Sequence, residues 1–414
     1  MSPKSRGRPA GRGRPKSRRP ESPRSLRPSD RLVRAAQDLL AYTDPLEVEQ
    51  WASGWLGQAW LNAPLGDREA EATLCREVVG RCVTRPSAHG LAAVAALRRA
   101  APPGEHAMLD ETIDELRLSQ PAPPWLDAEF TPVRARRAVD VYDSERVLFI
   151  EYGPHTLLAQ MLTVGGTLVE KLSLVRPGAA DAWDDLREPD EVPMPLQDVP
   201  VEEALADLAG ALRYTDMIWP RHEDEDYVDL RALAWARSRA HLPEWPGFEP
   251  LADGERAGLV DAFVEQTTDS AGHRRLAELF LDYGDGYLNH RPLGWSPDAV
   301  AMFLADWLPR KAFLDEDDRA ALPGALRSWL RFALRRRGVA DEWITPVTAA
   351  VDTWLPQFEQ AFDDDTSWGP AKQIAAELQA AGIDPRDTDA VDAVIGRLNA
   401  ERLADRLRDP SDEL

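Results

Sequence analysis

Apolar residues along this chain change their spacing twice. Between residues 31 and 118 they recur at helical intervals. Leu32 and Val33 return at Leu39 and Leu40. Trp51, Trp55 and Trp60 fall near one helical face, and Leu74, Val78 and Cys82 share another. Ser29-Asp30 predicts a helix start, and the Pro-rich stretch 121–125 closes the region. Over 133–176 the period shortens to that of strands. Val139, Val141, Val147, Phe149 and Tyr152 form two short runs. His155–Val164 and Thr167–Val175 form two more on either side of Gly165-Gly166, a pair that predicts a hairpin turn. A small antiparallel meander with helices on one face is expected.

A Pro- and acid-rich linker is expected over about 177–200. Helices follow near 201–217 and 225–241, then a boundary at 246–254. From 255 onward the spacing is helical to the end. Ser296-Pro297-Asp298 combines an N-cap, a proline at the first helical position and an acid. Val300, Phe303, Leu304, Trp307 and Leu308 then form a buried stripe, and Pro309 is expected to end that helix. Leu326, Trp329, Leu330 and Ala333 repeat the stripe. Arg335-Arg336-Arg337-Gly338 supplies basic residues at the negative end of the dipole and a glycine cap. Thr345-Pro346 predicts another helix start, with Val351, Trp354 and Phe358 on its apolar face. No fixed-period repeat is present.

The pattern gives an α+β fold, mainly α: a helical body with one small antiparallel β-meander, preceded by a disordered basic tail. Four parts are expected: the tail at 1–30, an N-terminal helical region at 31–125, the sheet with its helices at 130–245, and a C-terminal helical domain at 250–410.

Composition adds three constraints. Hydrophobic content of 43% with 14 Trp is enough for a sizeable core, and no apolar run approaches 18 residues, so no membrane span is expected. The N-terminus lacks the apolar stretch of a secretory signal. Six prolines within residues 3–28 argue against the amphipathic helix of a transit peptide. Cys75 and Cys82 would sit roughly 10 Å apart on a helix over 68–83, beyond disulfide reach, and read as buried small residues in a reducing cytoplasm. Of the 49 basic residues, 44 are Arg, and Asn occurs three times, a bias that points to a high-GC bacterial genome.

Charge changes the picture most. The net charge is −22, but residues 1–31 hold eleven Arg/Lys against two Asp/Glu. The remainder is left with a net charge of −31. The body should repel nucleic acid and the tail should be drawn to it. Within the tail, Arg-Gly-Arg-Pro occurs twice, as Arg6-Gly7-Arg8-Pro9 and Arg12-Gly13-Arg14-Pro15, the second followed by Lys16. A narrow AT-rich minor groove attracts inserted arginine. Glycine between the arginines lets the backbone lie near the groove floor, and proline holds the strand extended. These segments resemble the AT-hook and the related Arg-Gly-Arg element of bacterial nucleoid-associated proteins. The resemblance implies that Arg6, Arg8, Arg12 and Arg14 enter the groove while Lys4, Lys16, Arg18 and Arg19 meet phosphates. About thirty extended residues span up to ~100 Å, so the tail could also fold onto its own acidic body.

The body offers no catalytic motif. Its seven histidines are scattered, and no P-loop, nucleophile elbow or dinucleotide fingerprint occurs. No cofactor and no metal is expected. His222–Asp226 reads as a solvated helix start, Asp282–Gly286 as a tight turn, and Asp363–Asp365 as a solvated loop. Arg134, Arg136 and Arg137 are expected to pair with Asp140, Asp143 and Glu145. Segments around Trp295–Asp298, Trp307–Lys311 and Trp368–Lys372 resemble parts of uncharacterised proteins from high-GC bacteria, which implies no activity. The function expected is a cytoplasmic, nucleoid-associated and non-enzymatic one: AT-rich DNA bound through the tail, with the acidic body recruiting a protein partner or self-associating. The alternatives are an interaction scaffold with an incidental tail, and an enzyme with an unrecognised site.

Overall fold

Among the described residues, helices precede and follow one five-stranded sheet. A computed structural model describes residues 27–408, except 189–190, 246–249, 268–269, 290, 365–366 and 385. The expected tail therefore lies outside the described residues as far as 26. Its last part is corrected: Pro28–Asp30 form the first turn of α1 (Pro28–Ala35), with Pro28 at the first helical position and Asp30 paired to Arg81.

Four more helices complete the N-terminal layer: α2 (Pro45–Leu61), α3 (Ala70–Thr84), α4 (Ala88–Ala100) and α5 (His106–Arg117). Asp44 Oδ1 accepts from the Leu46 amide at 2.9 Å, and Ser87 Oγ from the Gly90 amide at 3.1 Å, so two of these helices start on side-chain caps. Helix α4 is buried along Gly90–Leu97, and its alanines let its neighbours approach from every side. Cys75 and Cys82 are buried in the same core as free thiols. Burial pushes Cys75 up to about 12 and Cys82 up to about 11, so neither is a ready nucleophile.

The meander forms as the spacing predicts: β1 (Arg134–Val139), β2 (Glu145–Glu151), β3 (Thr156–Leu162) and β4 (Leu168–Val175). A fifth strand, β5 (Leu196–Val199), pairs antiparallel with the free edge of β1 and gives the order β4-β3-β2-β1-β5. The linker expected over 177–200 is corrected by this strand and by what precedes it. Trp183 packs edge-on against Phe149 at 5.5 Å, and its indole donates to the Met194 carbonyl, so the stretch lies over one sheet face. Neighbours on a strand point to opposite faces. Phe149 meets that cover, while Leu148 and Ile150 meet Leu205, Leu208 and Leu212 of α6 (Val201–Thr215).

Helix α7 (Glu225–Ser238) joins the two layers. A Cβ on Gly57 of α2 would lie 1.8 Å from the Val228 carbonyl oxygen, so the two backbones touch. At the same crossing the Leu233 amide donates to the buried Ser53 hydroxyl at 2.9 Å. Ala232 faces the N-terminal core, and Tyr227 and Leu233 face the sheet core.

The C-terminal core is aromatic: Phe263, Phe280, Tyr283, Trp295, Phe303 and Trp329 are fully buried. It is enclosed by α8 (Asp253–Val264), α9 (Ser270–Tyr287), α10 (Pro297–Met302), α11 (Leu308–Lys311), α12 (Glu316–Arg336) and α13 (Asp341–Asp363). Beyond it lie α14 (Pro370–Ala381) and α15 (Thr388–Arg408). Ser296 caps α10 through the Ala299 amide at 3.1 Å. Gly338, at φ 81°, closes α12 with the Val339 amide bonded to the Leu334 carbonyl at 3.0 Å.

Three helical expectations are corrected. Pro309 does not end its helix, because a π turn over Phe303–Trp307 widens the backbone just ahead of it and the chain continues helically to Lys311. Helix α13 starts at Asp341 rather than Thr345. The amides of Trp343 and Ile344 already bond the Ala340 carbonyl, and Pro346 in the second turn forfeits one donor. Asp282–Gly286 is the end of α9, not a tight turn: a Cβ on Gly284 would meet Pro292 Cα at 2.5 Å, so the glycine serves a close approach. No helix among the described residues is long and apolar enough to cross a membrane.

Candidate functional site

The residues named from the sequence for DNA, from Arg6 to Pro9, from Arg12 to Lys16, and Arg18 and Arg19, lie outside the described residues. Arg134, Arg136 and Arg137 are all ion-paired, but not to the acids expected. Arg134 meets Asp198, Arg136 meets Glu151 and Asp181, and Arg137 meets Glu203 and Asp207, each within 2.8 Å. The reason is strand geometry. Side chains on β1 reach across to β2, β5 and α6, while Asp140 turns back to hold the Ser144 amide and hydroxyl. His222 Nε2 donates to the Glu170 carbonyl at 2.7 Å, and Asp224 caps α7 by accepting from the Tyr227 amide. That bears out a helix start there. Of the loop expected at Asp363–Asp365, Asp363 is instead the last residue of α13, exposed and bound to Arg319 at 2.6 Å, Asp364 is exposed just beyond the helix, and Asp365 lies outside the described residues. No group of three or more His, Cys, Asp or Glu suited to a metal ion occurs among the described residues.

Two of the singled-out tryptophan segments are brought together. The Lys372 ammonium donates to the Pro309 carbonyl at 2.8 Å and lies 4.1 Å from the Phe362 ring centre and 4.7 Å from that of Trp368. The Gly369 amide donates to the Arg310 carbonyl at 3.1 Å. This is an attachment of α14 to α11. Burial pulls Lys372 down to about 8, and no substrate-sized opening adjoins it among the clefts described below.

A cleft of about 760 Å³ lies between the N-terminal helices and the sheet. Glu49 bridges Arg99 at 2.9 Å and Arg237 at 2.6 Å, and Arg237 donates to His155 Nε2 at 2.8 Å. The guanidinium of Arg237 lies over Tyr152 at 4.2 Å. At the rim, Arg98 pairs with Asp110 and Arg117 with Asp127. Every arginine of this cleft has a carboxylate, so its charges cancel locally. The set works as a clamp between layers.

A second cleft, of about 630 Å³, has a different charge balance. It is built where the β3–β4 turn, α6 and the end of α9 converge. Gly165 (φ 74°) and Gly166 (φ 130°) form the turn. The Gly165 amide donates to the Tyr287 carbonyl at 3.0 Å, and the Tyr214 hydroxyl donates to the Gly165 carbonyl at 2.6 Å. Asn289 holds the Thr163 carbonyl at 2.9 Å. Three arginines line the space. Arg146 from β2 and Arg291 from the loop after α9 share one carboxylate, Asp143. Arg213 of α6 donates to the Pro243 carbonyl at 2.8 Å, lies 3.8 Å from the Trp245 ring centre, and pairs with no carboxylate among the described residues. Its Nε is buried without a partner. Asp207, the acid in the wall, already bonds Arg137. Burial, with Arg137 nearby, pulls the Arg146 guanidinium below its usual range. Burial and Arg337 do the same to Arg291. In a body with a large acidic excess, this basin carries an excess of positive charge.

Arg291 also borders a third cleft of about 540 Å³, lined by Arg336 and Arg337 on its far side. Arg337 donates to the Tyr142 carbonyl at 2.9 Å, and neither arginine is in an ion pair among the described residues. The sequence reading missed this whole set. Its members stand 67 and 78 positions apart at Arg146, Arg213 and Arg291, so no local pattern joins them. The one signal was Gly165-Gly166, which marks the turn and not the wall behind it.

No family model, no curated protein and no solved structure matches the chain.

Proposed function

We propose that the chain is a non-enzymatic, DNA-associated protein of the cytoplasm, held at the nucleoid by its basic N-terminal segment. Arg6 and Arg8, then Arg12 and Arg14, enter the minor groove of AT-rich duplex, with Gly7 and Gly13 lying along its floor. Pro9 and Pro15 keep the strand extended. Lys16, Arg18 and Arg19 contact phosphates. The acidic helical body faces away from the DNA and recruits a protein partner or a second copy.

The observation that carries the reading is the segregation of charge: +9 over residues 1–31 against −31 over the rest. A polyanion is attracted at one end of the chain and repelled by the remainder. Two short groove-binding units separated by two residues act at high effective concentration toward each other.

The test is a mobility-shift titration with AT-rich and GC-rich duplexes of equal length, comparing the full chain with a chain lacking residues 1–26. Residues 27–30 are kept because Asp30 pairs with Arg81 of the body. The reading expects tighter binding to the AT-rich duplex and its loss on truncation. Equal binding to both duplexes, or binding that survives truncation, overturns it.

A further inference from the structure

We propose that the basin between the Gly165-Gly166 turn, α6 and the end of α9 binds a ligand with a phosphate group and a flat ring, of the nucleoside monophosphate class. The inference concerns the body alone and stands whether or not the tail binds DNA.

Three observations carry it. The first is charge. Arg146, Arg213 and Arg291 line one cleft, while the nearby carboxylates are Asp143, which two of them share, Asp207, which Arg137 engages, and Asp140, which Ser144 engages. Buried guanidinium is costly without a counter-charge, and an entering phosphate supplies one. Arginine is suited to the task because its fork of donors matches phosphate oxygens. Arg213 is in no ion pair among the described residues, and its one hydrogen bond is to the Pro243 carbonyl.

The second is shape. The cleft, at about 630 Å³, falls in the range typical of small-molecule sites, and the glycine turn brings bare backbone to its wall. Gly166 cannot carry a side chain there, since a Cβ would overlap the Tyr214 ring. The third is aromatic surface. Trp245 stacks one face on Arg213 and remains 52% exposed. A ring laid on its open face would lie across the indole from the Arg213 guanidinium, with a sugar-phosphate arm reaching round the ring edge to the arginines. Base–aromatic stacking tolerates any base, so the class of ring is defined and its identity is not.

The test is titration of the full chain, followed by tryptophan fluorescence and calorimetry at moderate salt, with AMP, GMP, adenosine and inorganic phosphate as probes. AMP and GMP should bind at one site per chain, at least about tenfold tighter than adenosine or phosphate. Arg213→Gln should weaken nucleotide and phosphate alike by about tenfold. Trp245→Ala, at a half-exposed position, should weaken the nucleotides and leave phosphate unchanged, with far-UV circular dichroism like that of wild type. The Arg12→Ala/Arg14→Ala chain should bind like wild type, which separates the basin from the tail. No saturation by about 10 mM nucleotide overturns the proposal. So does binding that persists in both basin variants and is lost in the tail variant. Phosphate binding as tightly as AMP, with Trp245→Ala silent, overturns the ring.

Discussion

The ring of Tyr214 occupies the space a side chain on Gly166 would need: a Cβ built there falls 2.0 Å from the ring edge. The two residues come from α6 and the β3–β4 turn, and the hydroxyl of the same tyrosine bonds the neighbouring Gly165 carbonyl at 2.6 Å. The turn is therefore pinned to the helix by contact and by hydrogen bond, and the arginine basin opens beside this joint. Gly166→Ala should destabilise by about 1–3 kcal/mol, through overpacking and through a φ of 130° that a Cβ resists. Tyr214→Ala should relieve part of that cost, so that the double variant loses less than the sum of the singles. Unfolding midpoints in urea measure both.

Arg231 of α7 joins parts of the chain that the sequence keeps far apart. It is 4% exposed, bonds Asp216 at 2.7 and 2.8 Å and Glu71 at 2.8 Å, and lies over the Trp60 ring at 4.4 Å. Burial works against its charge, but Glu71 and Asp216 outweigh it and hold its pKa above the ordinary arginine value. Arg231→Met leaves two partly buried carboxylates without their shared cation, and should cost about 2–4 kcal/mol. Adding Glu71→Gln and Asp216→Asn removes those charges and should recover part of the loss. Equilibrium unfolding of the single and triple variants distinguishes a removed attraction from a stranded charge.

His155 gives the fold a pH dependence of defined sign. It is 3% exposed, and its Nε2 accepts from Arg237, which requires the neutral ring. Burial and then Arg237 push its pKa down to about 4 from the usual 6.5. The unfolded chain thus takes up this proton at a higher pH than the folded chain. Stability from this group is complete above about pH 6.5 and is lost as pH falls toward 4, by about 3 kcal/mol, with no further loss below. His155→Gln keeps an acceptor for Arg237 and cannot titrate. Urea midpoints across pH 4–7.5 should show wild type losing stability faster than the variant on acidification. Parallel profiles would contradict the assignment.

What the sequence made legible was whatever rests on near neighbours. The four strands of the meander, the Ser296 cap and the Gly338 cap follow from alternation and from single residues acting on adjacent backbone. What escaped depended on distant partners. Leu196–Val199 is too short and too close to prolines to read as a strand, and becomes one because β1 presents a free edge. Gly284 looks like a turn glycine until Pro292 is seen against it. The Trp51–Trp55–Trp60 face also divides. Trp51 and Trp55 join the N-terminal core, and Trp60 turns to the sheet core. The arginine basin was illegible for the same reason, since Arg146, Arg213 and Arg291 acquire a common neighbourhood only when β2, α6 and the loop after α9 meet.

The tail makes a quantitative demand of its own. Each cation that replaces a counterion on duplex DNA steepens the fall of log affinity with log salt by about 0.9. If Arg12 and Arg14 both lie in the groove, replacing them with alanine should weaken binding and reduce the slope by about two. The −31 body does not enter this difference, because it is common to both chains. Its repulsion should appear separately: a peptide of residues 1–26 should bind AT-rich duplex more tightly than the full chain at low salt, and the gap should close as salt screens the body. Fluorescence anisotropy of labelled duplex across a salt series measures both effects. An unchanged slope in Arg12→Ala/Arg14→Ala would mean that these arginines do not touch the DNA. A peptide that binds no tighter than the full chain would mean that the acidic body stays clear of it.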